Sequence, residues 1–92
     1  LVTNIDDAYL DAEEVKVYPN PASDVLSIDL SNSPAAVANL RLVDIKGSLF
    51  WQRKEVKEKQ LTVNVSNYQS GTYLLLIETS KGRQVKKIII NN

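Results

Sequence analysis

Leu26, Ile28 and Leu30 alternate with Ser27 and Asp29, the period of two expected of a half-buried strand, because successive side chains leave opposite faces of an extended backbone. The same alternation returns where Leu61, Val63 and Val65 interleave with Thr62, Asn64 and Ser66, the cleanest strand pattern in the chain. Residues 15–18 predict a shorter extended piece before these two. Leu40 and Leu42 flank Arg41, but Val43-Asp44-Ile45 moves the apolar positions by one, which predicts a β-bulge or a corner near residue 43. Ser31-Asn32-Ser33-Pro34 and Lys46-Gly47 read as turns, the second feeding a strand over residues 48–54. The charged run at residues 54–59 then reads as a connection. Gly71 restarts the chain into TYLLLIET, apolar on both faces through Leu76, which fits a central strand. Lys81-Gly82 predicts the last hairpin turn and residues 84–90 the closing strand.

Short strands at intervals of about 8 to 12 residues, with almost no helical periodicity, define an all-β chain, an immunoglobulin-like antiparallel β-sandwich of about seven strands. Ninety-two residues suffice for one core and one domain. Residues 1–14 stand apart: Asp6, Asp7, Asp11, Glu13 and Glu14 occur there without Lys or Arg and without alternation. They read as an acidic linker ahead of a domain at residues 15–92. A calcium site is the rival use of these carboxylates, but the spaced D-x-D-x-D-G loop is missing.

Composition narrows the chemistry. Eleven bases and eleven acids cancel, which argues against a nucleic-acid partner, because such binding rests on neutralising phosphates. The longest apolar runs, residues 74–77 and 88–90, are far below the roughly 18 residues of a membrane span, so a soluble chain is expected. It opens on Leu1 with no signal-peptide pattern, the mark expected of a fragment of something longer. Cys and His are both absent. That removes disulfides and thiolate zinc sites and leaves only Ser-Lys or paired carboxylates for catalysis. Asp24 and Asp29 lie five residues apart, an odd spacing that sends them to opposite faces of one strand. Gly47, Gly71 and Gly82 are isolated and form no phosphate loop. No enzyme and no cofactor are therefore expected. Asn64-Val65-Ser66 matches the glycosylation sequon, a short pattern that falls within a strand.

Two features concern partners. Phe50 and Trp51 are adjacent, so on a regular strand one ring faces the core and the other the surface. Trp51 then either covers the sandwich edge or offers a platform for a sugar. That second use defines the rival function, an accessory carbohydrate-binding or adhesion module of a secreted enzyme. Tyr73 shares a face with Leu75 and Ile77 and reads as a core tyrosine whose hydroxyl finds a backbone partner. Leu74 and Leu76 take the other face, and if no second layer covers it they form an apolar patch of the kind that marks a partner site.

Pro19-Asn20-Pro21 makes a stiff connector, since each proline fixes its own φ and drives the residue before it toward extended geometry. In order along the chain, VYPNPASDVLSI, LVDIKGSLF, LTVNVSNYQSGTYLLLIET and a final KKIII resemble the type A C-terminal sorting domain of proteins exported by the type IX secretion system. The likeness covers nearly all of residues 15–92. Pro19, Asn20, Pro21 and Ala22 match its proline-bracketed opening, and Asp24, Leu26 and Ile28 the strand that follows. Asp44 and Gly47 match the middle turn, Gly71 and Tyr73 the G-x-Y motif, and Lys86, Lys87, Ile88, Ile89 and Ile90 the terminal strand. Val43 stands where the family often has an aromatic.

The resemblance implies a transport address at the end of a larger cargo protein. It implies passage through the periplasm, reading by the type IX outer-membrane translocon, and removal by a sortase with the cargo left at the cell surface or released. Cleavage is expected in or near residues 1–14. Recognition is expected at Pro19, Asn20, Pro21, Gly71, Tyr73, Lys86, Lys87, Ile88, Ile89 and Ile90. The edge and apolar run of the last strand are expected to be offered for β-addition, with Lys86 and Lys87 orienting the contact by charge. The same edge offers a route to a homodimer of the isolated domain.

Overall fold

The computed structural model describes residues 15–92; the acidic stretch at residues 1–14, read above as a linker, lies outside them. Seven strands form two antiparallel sheets, with no helix among the described residues. The smaller sheet has the order β1-β2-β5, from Lys16–Tyr18, Val25–Asp29 and Gln60–Asn64. The larger has the order β4-β3-β6-β7, from Leu49–Val56, Ala38–Asp44, Gly71–Thr79 and Gly82–Ile90. β6, the strand apolar on both faces, lies inside its sheet between β3 and β7, as its composition predicts.

Alternation sets the register. Leu26 pairs with Val63 and Ile28 with Leu61, so the apolar side chains of β2 and β5 share one face. In the larger sheet Leu42 stands between Trp51 and Leu75, and Leu40 is opposite Ile77. These faces meet in one core in which Leu26, Leu40, Leu42, Leu75, Ile88 and Ile90 have no exposed surface. Burying each such side chain contributes about 1.5–3 kcal/mol. No buried polar or charged residue interrupts them among the described residues.

The bulge expected near residue 43 is present as a register shift between Leu42 and Val43: Leu42 pairs with Trp51 but Val43 with Leu49, leaving Phe50 as the extra residue. A second shift separates Ala38 from Leu40. Beside it Glu55 takes φ of 54° and donates its N–H to Asn39 Oδ1 at 2.8 Å. One expectation is corrected here, because residues 55 and 56, read as part of a connection, complete β4. Glu55 thereby belongs to an edge strand, where exposed Arg53, Lys54 and Glu55 discourage pairing with other chains.

Side chains organise the turns. Asp44 Oδ1 accepts from the N–H groups of Lys46 and Ser48, both at 2.9 Å, and Gly47 takes φ of 94°, a conformation glycine adopts without steric cost. After β2, Asp29 Oδ1 accepts from both the hydroxyl and the N–H of Ser31. Those two bonds, with a smaller contribution from the charge of Lys16, hold the Asp29 carboxyl below its ordinary value of 3.8. A carboxylate lowered in the folded state adds stability that is complete above its unfolded pKa and is lost as pH falls through the lower folded value. Ser31→Ala is expected to move the Asp29 titration back up toward 3.8, read by carboxyl-carbon NMR; an unchanged midpoint would show that the hydroxyl does not supply the shift.

Candidate functional site: the clasped terminal strand

The stiff proline connector and the last strand, 67 residues apart in sequence, are hydrogen-bonded to each other. Asn20 Nδ2 donates to the carbonyl of Lys87 at 3.0 Å, and Asn20 Oδ1 accepts from the N–H of Ile89 at 2.9 Å. Two residues on, Ala22 donates its N–H to Ile89 O and accepts from Asn91 N–H, both at 2.8 Å, a parallel bridge between Ala22 and Ile90. The Asn20 amide thus replaces a backbone peptide and extends that bridge by one more pair of bonds. Asn suits the position because one short planar group carries both a donor and an acceptor. The flanking bonds, Tyr18–Pro19 and Asn20–Pro21, are both cis. Pro19, Asn20 and Pro21 are exposed and Ala22 is buried, so the loop lies across the rim with one small side chain in the core.

Other candidate residues gather at the same corner. Gly71 pairs with Ile90 and Tyr73 with Ile88. Tyr73 is buried, and its hydroxyl donates to Gln69 O at 2.8 Å, the backbone partner expected of a core tyrosine. Lys86 and Lys87 are separated: Lys87 is exposed on the outer face, whereas Lys86 is half-buried with the inward-facing parity of Ile88 and stands opposite Leu75.

Two expectations about the last strand are corrected. Ile88 and Ile90 are not a surface run, for both are wholly buried; only Ile89, with the opposite parity, reaches the outer face. The β7 edge is not open at its C-terminal half, because the Lys87 carbonyl, both Ile89 groups and the Asn91 N–H are bonded to Asn20 or Ala22. Strand addition and edge dimerisation there would first have to displace the clasp. The second feature was not legible from strand parity, which shows that an edge exists but not what covers it.

Several residues missed in the sequence complete the corner. Asn92 donates through Nδ2 to Val65 O at 2.8 Å and Tyr68 O at 2.7 Å, while its N–H donates to Ser70 Oγ at 2.9 Å. These bonds fasten the end of the chain to the β5–β6 connection, at a residue beyond the apolar pattern that marks the strand. Phe50, Tyr68 and Tyr73 form a ring cluster: the Phe50 centroid is 5.3 Å from each tyrosine ring. Tyr68 donates its hydroxyl to Phe50 O at 3.2 Å, and burial holds its phenol above the ordinary pKa. As expected, one ring of the Phe50-Trp51 pair lies against the core, Trp51, and the other, Phe50, stays 42% exposed. Phe50 is the bulge residue, and its ring turns toward core-facing Tyr73. Trp51 is half-buried and covers the sandwich edge.

This is a small sandwich whose last strand is fastened by the loop that follows its first. The model of the secretion system C-terminal sorting domain matches residues 16–91, and the chain belongs to that family. It is a type IX secretion C-terminal sorting signal, a signal for export to the cell surface or the extracellular space. Beta-agarase D of Zobellia galactanivorans is 33% identical over 78 residues, covering 85% of this chain and 15% of that protein. The chain thus corresponds to a small part of its relative. Among solved structures, an immunoglobulin-like β-sandwich protein from Bacteroides vulgatus superposes with a TM-score of 0.67 over 87% of each chain, at 19% identity. That likeness establishes the fold.

Proposed function

We propose that the domain is the address of a larger cargo protein and that the type IX outer-membrane translocon reads it folded, at the corner where residues 19–22 meet β7. The observation that carries this reading is the Asn20 clasp. It makes the opening motif and the terminal strand a single exposed element rather than two distant ones. Pro19, Asn20, Pro21, Lys87 and Ile89 present groups at its surface. Ile88, Ile90 and Tyr73 act from beneath by holding the strand in place, and Gly71 lies beside Ile90 in the same pairing. Lys86 lines the rim. Passage runs through the periplasm, and a sortase then cuts in or near residues 1–14, leaving the cargo anchored or released at the surface. The similarity to a β-agarase covers too little of that protein to carry its activity here.

A fluorescent reporter with an N-terminal signal peptide and residues 1–92 at its C-terminus, expressed in a host with an intact type IX system, tests both parts by intact-mass measurement. Surface reporter ending in or near residues 1–14 is the expected product. Full-length fusion at the surface would overturn the cleavage step, and fusion trapped in the periplasm with the domain folded would overturn the sorting role.

A further inference from the structure

The clasp lies at one end of a sheet face that nothing covers among the described residues. On the outside of the larger sheet, Leu74 stands between Val43 and Lys87, and Leu76 between Arg41 and Val85. Leu49 pairs with Val43 at the β4 edge, and Ile89 shares the outward parity of Val85 and Lys87. The result is an apolar band across the whole sheet. Val43 keeps only 8% of its surface yet lies outside the main core cluster, so it is buried by neighbours on this outer face. Leu49 is 50% exposed, and Ile45, just past the end of β3, is 71% exposed. A band of this extent on the surface of a small domain marks an interaction site.

Charge identifies the occupant. All eleven bases lie in residues 15–92 with only six of the eleven acids, so residues 15–92 carry net charge +5 and residues 1–14 carry −5. The neutral total hides this asymmetry. Arg41 and Lys87 are exposed beside the band, and Lys54 joins Arg41, Gln52, Leu76 and Glu78 around a shallow depression. Glu78 is engaged by Arg83 at 3.3 Å. A lipid surface would call for aromatic anchors within the band, but its outward residues on β6 and β7 include no aromatic, exposed Tyr18 lies on the other sheet, and Phe50, though 42% exposed, leans on Tyr73. A flat, half-buried apolar band flanked by cations instead complements a protein surface that is apolar at its centre and acidic at its rim.

We propose that this face, continuous with the clasp through Lys87 and Ile89, is the surface on which the domain receives an acidic, apolar-centred protein face of the export machinery. This rests on the sorting role proposed above. Arg41 and Lys87 steer the approach and fix its register, and Leu74 and Leu76 supply the dry centre.

The test uses the reporter carrying residues 1–92 with purified, detergent-solubilised type IX translocon as the probe. It compares Arg41→Glu/Lys87→Glu with Lys57→Glu/Lys59→Glu, a pair that changes net charge equally away from this face. The face pair is expected to weaken binding by about tenfold or more, with fold retained by circular dichroism, and to lower export; the control pair is expected to do neither. Equal loss in both pairs, or none in the face pair, would overturn the proposal. So would binding to phosphatidylglycerol vesicles in place of the translocon. If the unmodified fusion is itself not exported, the sorting role fails; if it and the face pair are exported equally, only this inference does.

Discussion

Ile88→Ala is expected to lower the unfolding free energy by about 2–5 kcal/mol, whereas Ile89→Ala, one residue on, is expected to cost less than about 1.5 kcal/mol. Ile88 has no exposed surface and stands opposite Tyr73 on the core face of the larger sheet; Ile89 is half-buried on the outer face. Small domains have only about 5–15 kcal/mol to lose, so the Ile88 variant reaches the translocon partly unfolded and its export falls for that reason alone. Urea unfolding separates the two. If Ile89→Ala loses export at unchanged stability, its side chain is read directly. Equal costs at both positions would contradict the burial pattern of β7.

Asn20→Ala is expected to cost about 1–3 kcal/mol, the net value of two hydrogen bonds, toward the lower end because the clasp is exposed. The effect should be local. The Ile89 amide loses its acceptor, so its hydrogen exchange should accelerate, while the Leu75 amide in the middle of the sheet should remain protected. Asn20→Asp is the sharper comparison, since a carboxylate can still accept from Ile89 but cannot donate to the Lys87 carbonyl. It should open the Lys87 side and keep part of the protection at Ile89. Unchanged exchange at Ile89 in both variants would mean that the clasp does not form in solution.

Much of the fold is visible in the sequence because alternation is a local signal. Leu26 and Ile28, Leu40 and Leu42, and Tyr73, Leu75 and Ile77 face the core as their spacing requires. The break at Val43 marks a real register shift. The consequence of that break was harder to see. The inserted residue lies on the partner strand, at Phe50, whose ring therefore reaches Tyr73 while it stays exposed. The candidate site was legible as residues but not as geometry. Nothing local in Pro19-Asn20-Pro21 says that its amide will bond to a strand 67 residues away. Ile88, Ile89 and Ile90 look alike in sequence, yet parity buries two of them. Counting charge over the whole chain concealed the basic character of residues 15–92.

The most direct test of the sorting role is surface fluorescence of the reporter carrying residues 1–92, compared between a host with an intact type IX system and a translocon-deletion strain. The expected result is surface or medium fluorescence in the intact host alone, reduced by Asn20→Ala beyond what its lost stability explains. Equal retention in the periplasm of both strains, with the domain folded, would contradict it.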